Sequence, residues 1–391
     1  MDWNNKTAAN VKAIKPSGIR KFFDIAAQVK GVLSLSIGEP DFAAPDKVLD
    51  AMKASLDAKE TSYTGNSGMM ELREAISQHF EKRYGVHYDP KDEILVTVGV
   101  SEGLAMALLA ITEPGDEVII PDPAYVAYPA SVELAGGTPV FVPTYPEHDF
   151  KLTVEALEKV ITPKTKAIVI GYPNNPTGTV MSAEELMPIA KFAEEHDLIV
   201  LSDEIYCELM YGDAKFTSFA KLPGMRERTV IFNGFSKAYA MTGMRLGYVC
   251  APREGLAPIL KLHQYAIMCA NTTAQVGGIT ALKECDDDVE AMRQEYDRRR
   301  KVIYKGLCDM GLPVFEPKGA FYIFPDIRCT GMTSAEFCEK LVQEEKVAVV
   351  PGTAFGDQGE GFVRISYAAS MDTIQEALKR MARFVEKYRS C

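Results

Sequence analysis

Seven short apolar runs, at residues 94–98, 117–120, 139–142, 166–170, 198–201, 229–232 and 246–250, recur through the middle of the chain, with helical patterns such as 183–195 between several of them. Runs of this length suit strands buried on both faces, and the helices between them supply the cover. The alternation therefore predicts an α/β fold around a mostly parallel sheet with helices on both faces. After about residue 285 the pattern changes to a charged helix at 286–308, a strand-like stretch at 319–324, a helix at 334–344 and a last strand-like stretch at 361–367. This part, joined by the N-terminal segment, reads as a smaller α+β domain, with boundaries at 46–285 for the large domain and 1–45 plus 286–391 for the small one. A chain of 391 residues with 47% hydrophobic content suffices for two cores. No repeat, low-complexity segment or Gly-x-Gly-x-x-Gly fingerprint interrupts the pattern.

The ends of these runs carry polar residues. Ile199-Val-Leu-Ser-Asp203 closes on a carboxylate, with Tyr206 three positions on. The run at 166–170 leads into Gly171-Tyr-Pro-Asn-Asn-Pro-Thr-Gly178, whose prolines and glycines impose a stiff irregular turn holding Asn175. Ligand sites of open α/β sheets lie at the carboxyl ends of the strands, so Asn175, Asp203, Tyr206 and Lys237 should converge. Lys237, in Ser236-Lys-Ala-Tyr-Ala-Met-Thr-Gly-Met-Arg245, stands between two strand-like stretches. A lysine amine, with an ordinary pKa of about 10.4, becomes a nucleophile near neutrality only when burial or positive charge lowers that value. Arg245 is one source of such charge. Thr97-Val-Gly-Val-Ser-Glu-Gly103 leads into an apolar helix at 104–111, so the Val100 and Ser101 amides should face an anion.

Several motifs in this order resemble the class I/II aminotransferases of pyridoxal-phosphate fold type I, in the branch of aspartate and aromatic aminotransferases. They are Ser34-Leu-Ser-Ile-Gly-Glu-Pro-Asp41, Tyr63-Thr-Gly-Asn-Ser-Gly68, Asn175-Pro-Thr-Gly178, Ser202-Asp-Glu-Ile-Tyr206, the Lys237 segment, Gly319-Ala-Phe-Tyr322, Pro351-Gly-Thr-Ala-Phe-Gly356 and Phe362-Val-Arg-Ile-Ser-Tyr367. The resemblance implies a seven-stranded sheet with one antiparallel strand and pyridoxal 5'-phosphate as cofactor. It implies an enzyme moving an amino group from an L-amino acid to a 2-oxo acid, most often 2-oxoglutarate, by ping-pong kinetics.

It also implies roles. Lys237 would hold the cofactor covalently and move the substrate's α-proton. Asp203 would keep the ring nitrogen protonated, Asn175 and Tyr206 would donate to the phenolic oxygen, and Tyr125 would stack on the ring. Val100, Ser101 and Arg245 would hold the phosphate. Gly234 stands where many relatives carry a phosphate-binding serine, a departure that leaves open whether Ser236 compensates. Tyr63 would reach the phosphate of a neighbouring subunit, which implies a homodimer with shared sites. Arg364 and the Gly38 amide would hold the substrate α-carboxylate, the arginine in a bidentate contact. Some aspartate-using relatives place a lysine at the position of Ser101, and Arg20 is the candidate to meet a distal acid in its stead.

The net charge of 43 − 54 = −11 is spread along the chain and points away from nucleic acid and anionic membranes as partners. The first residues show no apolar run of secretory type, and no stretch has the length to span a bilayer, so the cytoplasm is expected. The eight cysteines, 207, 250, 269, 285, 308, 329, 338 and 391, form no Cys-x-x-Cys and are expected as reduced thiols. The five histidines lack metal-binding spacing, and His79 and His196 read as surface residues of amphipathic helices. Carbon–sulfur β-lyases, decarboxylases and an aminocyclopropane-forming synthase use the same scaffold, so fold alone leaves them as alternatives. A cofactor-binding regulator is disfavoured because residues 1–33 are too short for a winged helix. A catalytically dead binding protein is disfavoured by the intact Lys237 and Asp203.

Overall fold

The structure, a computed structural model, describes residues 1–14, 18, 22 and 29–389. A short strand β1 (Leu33–Ser34) precedes the central sheet strands β2 (Ile94–Thr97), β3 (Glu117–Asp122), β4 (Thr138–Pro143), β5 (Thr165–Ile170), β6 (Ile199–Asp203), β7 (Thr229–Gly234) and β8 (Gly247–Cys250). These seven pair in the order β2-β8-β7-β6-β5-β3-β4, and all are parallel except β8, which runs antiparallel to both neighbours. Every expected strand falls within a few residues of its apolar run.

Both faces of the sheet are covered, as continuous apolar strands demand. Successive residues of β5 alternate between two cores: Ala167 and Val169 pack with Leu104, Leu108 and Ile259, whereas Ile168 and Ile170 pack with Leu186, Ile189 and Phe192. The helix Ala183–Glu195 starts on a capping box in which Ser182 and Glu185 satisfy each other's backbone amides, the local reason it begins there. Strand β4 is an edge, and its side chains are the most exposed of the seven.

The remainder of the chain forms β9 (Tyr322–Ile323), β10 (Val347–Ala348), β11 (Val350–Pro351) and β12 (Val363–Ser366). Strand β12 lies antiparallel between β11 and β9, and β1 pairs in parallel with β10, which ties the N-terminal segment to this part. The helices Asp286–Asp309, Ser334–Glu345 and Met371–Tyr388 surround these strands, and Tyr296, Ile303, Phe337, Leu341, Ile374 and Phe384 share one core with β9 and β12.

Candidate active site

The parallel strands deliver polar residues to one rim of the sheet. Asp203 is the last residue of β6, Lys237 stands three residues beyond β7, Asn175 five beyond β5, Tyr125 three beyond β3, and Val100 and Ser101 three and four beyond β2. Because β8 runs the other way, Arg245, two residues before it, reaches the same rim. The result is a cavity of about 480 Å³ lined by Gly38, Val100, Ser101, Tyr125, Asn175, Asp203, Tyr206, Ser236, Lys237, Arg245 and Arg364. Of the other residues singled out in the sequence, Tyr63 is 80% exposed and does not line this cavity, and Arg20 lies outside the described residues.

Lys237 Nζ donates to the Gly38 carbonyl at 2.6 Å and sits 5.7 Å from the ring centres of Tyr206 and Phe321. Burial lowers its pKa to about 8, with Arg364 adding to the effect and Glu39 and Asp203 opposing it. At that value roughly one amine in ten is neutral at pH 7, against a vanishing fraction for an exposed lysine.

Asp203 is buried at the cavity floor, where Tyr128 Oη donates to Oδ2 at 2.8 Å and the Ile205 amide to Oδ1 at 3.2 Å. Burial nevertheless pushes its pKa up, outweighing both hydrogen bonds and the Lys237 charge. A carboxylate in that state is stabilised by any cationic N–H entering the cavity beside it.

Arg364 is 2% exposed and lies between the rings of Tyr322 and Phe355, 4.5 and 4.8 Å from their centres. Its Nη2 donates to Ser36 O at 2.6 Å and its Nη1 to Asn175 Oδ1 at 3.1 Å, while Nε has no partner among the described residues. With its oxygen engaged, Asn175 keeps its amide N–H groups for a ligand. Tyr206 and Tyr322 share a hydroxyl contact of 2.8 Å. An added Cβ at Gly38 would lie 2.8 Å from Tyr322 Oη, so only glycine lets this backbone approach the arginine.

The helix that follows β2 is longer than the sequence reading allowed, running from Gly99 to Ile111 rather than starting at 104. Val100 and Ser101 therefore lie in its first turn, where amides have no intrahelical acceptor. Gly99 and Gly103 disguise this start. Gly99 adopts φ +75, and a Cβ there would lie 2.8 Å from Arg245 Nη2, so the guanidinium rests directly on the loop. Gly234 pairs with Gly247, and a Cβ at 234 would lie 2.7 Å from Gly247 Cα. A serine thus has no room at this position, whereas Ser236 lines the cavity.

Tyr128, Tyr322, Glu39 and Phe355 also shape the site and carried no role in the sequence reading. The three-residue spacing of Tyr125 and Tyr128 was the available signal for one. Tyr322 lay within a recognised motif. His79 corrects the surface reading: its side chain is 9% exposed, and Nε2 stands 3.3 Å from the Glu208 carboxylate. His196 is exposed.

With this geometry in hand, the comparisons with known proteins decide the family. The family model for aminotransferase class I and II matches residues 30–381. The chain belongs to the class I and II aminotransferases. It is 53% identical over 377 residues to a putative aminotransferase, YugH, of Bacillus subtilis, covering 96% of this chain and 97% of that one. It is 50% identical to an aspartate aminotransferase of Pyrococcus abyssi, with coverage of 96% and 97%. The solved structure of an aromatic aminotransferase from Pyrococcus horikoshii superposes with a TM-score of 0.90 at 49% identity, covering 94% of this chain and 99% of that one. Aminotransferases of this family and fold depend on pyridoxal phosphate. The residues present fit that group: an amine of lowered pKa, a buried carboxylate in need of a cationic partner, and a helix start flanked by an arginine.

Proposed function

We propose that this aminotransferase takes the amino group from aspartate and aromatic amino acids and delivers it to 2-oxoglutarate in two half-reactions. The observation that carries the reading is the buried guanidinium of Arg364, its Nε without a partner among the described residues, in the same cavity as the Lys237 amine. That pairing suits an α-carboxylate held beside a base. The names of the relatives support the donor class, since both aspartate and aromatic aminotransferases are about half identical to this chain.

When bound, pyridoxal phosphate supplies a carbonyl that exchanges with amines and a ring that accepts the electron pair left on the substrate's α-carbon. Lys237 Nζ anchors the cofactor and, once freed, removes the proton from the substrate Cα and holds it for return. Asp203, fixed by Tyr128, holds a proton on the ring nitrogen. Asn175 and Tyr206 donate to the phenolic oxygen, and Tyr125 covers the ring. Val100, Ser101, Ser236 and Arg245 receive the phosphate. Arg364, with the Gly38 amide, orients the α-carboxylate so that Cα–H faces Lys237. In this reading Tyr63 completes the phosphate site of a second copy in a homodimer, and residues 46–285 and 1–45 with 286–391 form the two domains. Arg20 is the candidate contact for acidic side chains.

An amino-donor panel with 2-oxoglutarate tests the reading. Glutamate and the matching oxo acid should appear together from aspartate and from tyrosine or phenylalanine. Release of pyruvate and ammonia from a cysteine conjugate, without glutamate, would favour the β-lyase alternative instead.

A further inference from the structure

One buried pair of ionisable groups has no part in the chemistry above. Glu102 lies in the first turn of the helix Gly99–Ile111, next to Ser101. Its Oε2 accepts the Val98 amide at 2.6 Å, and its Oε1 meets Nδ1 of His263, from the helix Arg253–Ala266, at 2.6 Å. His263 is fully buried, and its Nε2 has no hydrogen-bond partner among the described residues. A ring nitrogen so close to a carboxylate donates to it, and such charge-assisted contacts are short and strong.

The two contacts act in series. By taking the Val98 amide, Glu102 fixes the residue that precedes Gly99, and so aims the amides of Val100 and Ser101. The His263 ring, fixed on a second helix, holds the other carboxylate oxygen and so keeps Glu102 turned toward Val98. We propose that Glu102 and His263 are a positioning pair for the cofactor phosphate. Glu102 braces the loop, and His263 holds the Glu102 carboxylate in the orientation that does so. This rests on the reading that Val100, Ser101 and Arg245 receive the phosphate.

The test is equilibrium binding of pyridoxal 5'-phosphate and of pyridoxal, which lacks the phosphate, to the full-length apoprotein. His263→Phe removes the anchor of the Glu102 carboxylate and should weaken pyridoxal phosphate about tenfold while moving pyridoxal little. His263→Asn, which keeps an N–H donor near Glu102 Oε1, should retain most of the phosphate preference. Glu102→Ala removes the brace and should lower the preference by itself, so the proposal stays open to test if His263→Phe does not fold. Equal losses for both ligands, or a His263→Asn variant that loses the preference as fully as His263→Phe, would overturn it. Arg245→Ala separates the two levels. If it leaves the phosphate preference intact, the reading of the phosphate site fails, and if it abolishes the preference while the pair variants do not, only this inference fails.

Discussion

At the floor of the cavity, Asp203, Tyr206, Tyr322 and Arg364 are buried and held by hydrogen bonds from their own chain, whereas the surface made by residues 61–69 and 263–272 leaves large side chains uncovered. There Tyr63 is 80% exposed, Tyr265 90%, Ile267 40% and Met268 44%, although the two segments are tied together by Asn66 to the Met268 carbonyl and Thr272 to the Ser62 carbonyl. Exposed apolar side chains on tied segments would suit the second copy of the proposed homodimer, which would leave the chemistry to one chain and complete only the binding of the cofactor.

That contrast can be broken first at the floor. Lys237→Ala should cut steady-state turnover by at least about 10⁴-fold, because no other amine replaces the base, while cofactor stays bound without its covalent link. Wild-type turnover in this variant would remove the floor from the chemistry. Asp203→Asn should cost about 10² to 10³-fold in kcat with the cofactor retained, since an amide cannot offset the ring's charge. A variant as fast as the parent would reduce Asp203 to a strand end that needs Tyr128 for its own comfort.

The lowered pKa of Lys237 gives a third test. The rate of covalent cofactor capture by the apoprotein should rise about 50-fold from pH 6 to pH 8 and level off above, following the neutral amine. A midpoint near 10.5 would contradict the burial argument. The same shift bears on stability. Between about pH 8 and the unfolded value near 10.5, the unfolded chain binds the lysine proton that the folded chain has released. The contribution of this group to stability of the apoprotein therefore rises with pH across that window.

The smallest effect belongs to the exposed surface. Tyr63→Phe should raise the dissociation constant for the cofactor about tenfold, the size of one hydrogen bond to a charged group. Activity should also fall on dilution in step with subunit dissociation followed by sedimentation. A fully active monomer would show that the floor needs nothing from the uncovered face.

Much of the floor was legible because strand ends follow from apolar runs, and Asp203 and Asn175 sit where those runs stop. What escaped depends on contacts between distant segments. The helix Gly99–Ile111 begins five residues early because it opens on Gly99 and carries Gly103 as its fifth residue, and glycine in sequence reads as loop. Arg245, far along the chain, lies where a side chain at position 99 would otherwise stand, a contact the local sequence does not reveal. His79 read as exposed from its helix alone, since the loop after β6 that brings Glu208 against it leaves no mark on that helix's periodicity. Tyr128 was hidden by its ordinary setting in a short helix, and only its contact to Asp203 reveals the role.

The pairing of Gly234 with Gly247 closes residues 235–246 into a clasp, reinforced by the Phe235 amide on the Leu246 carbonyl. Lys237 and Arg245 both ride on that clasp, so their separation is fixed by sheet register and not by the drift of a free loop. Natural insertions and engineered peptide tags should be accepted at connections on the opposite rim and rejected here, even where they touch neither residue. The length of this one turn is part of the active centre.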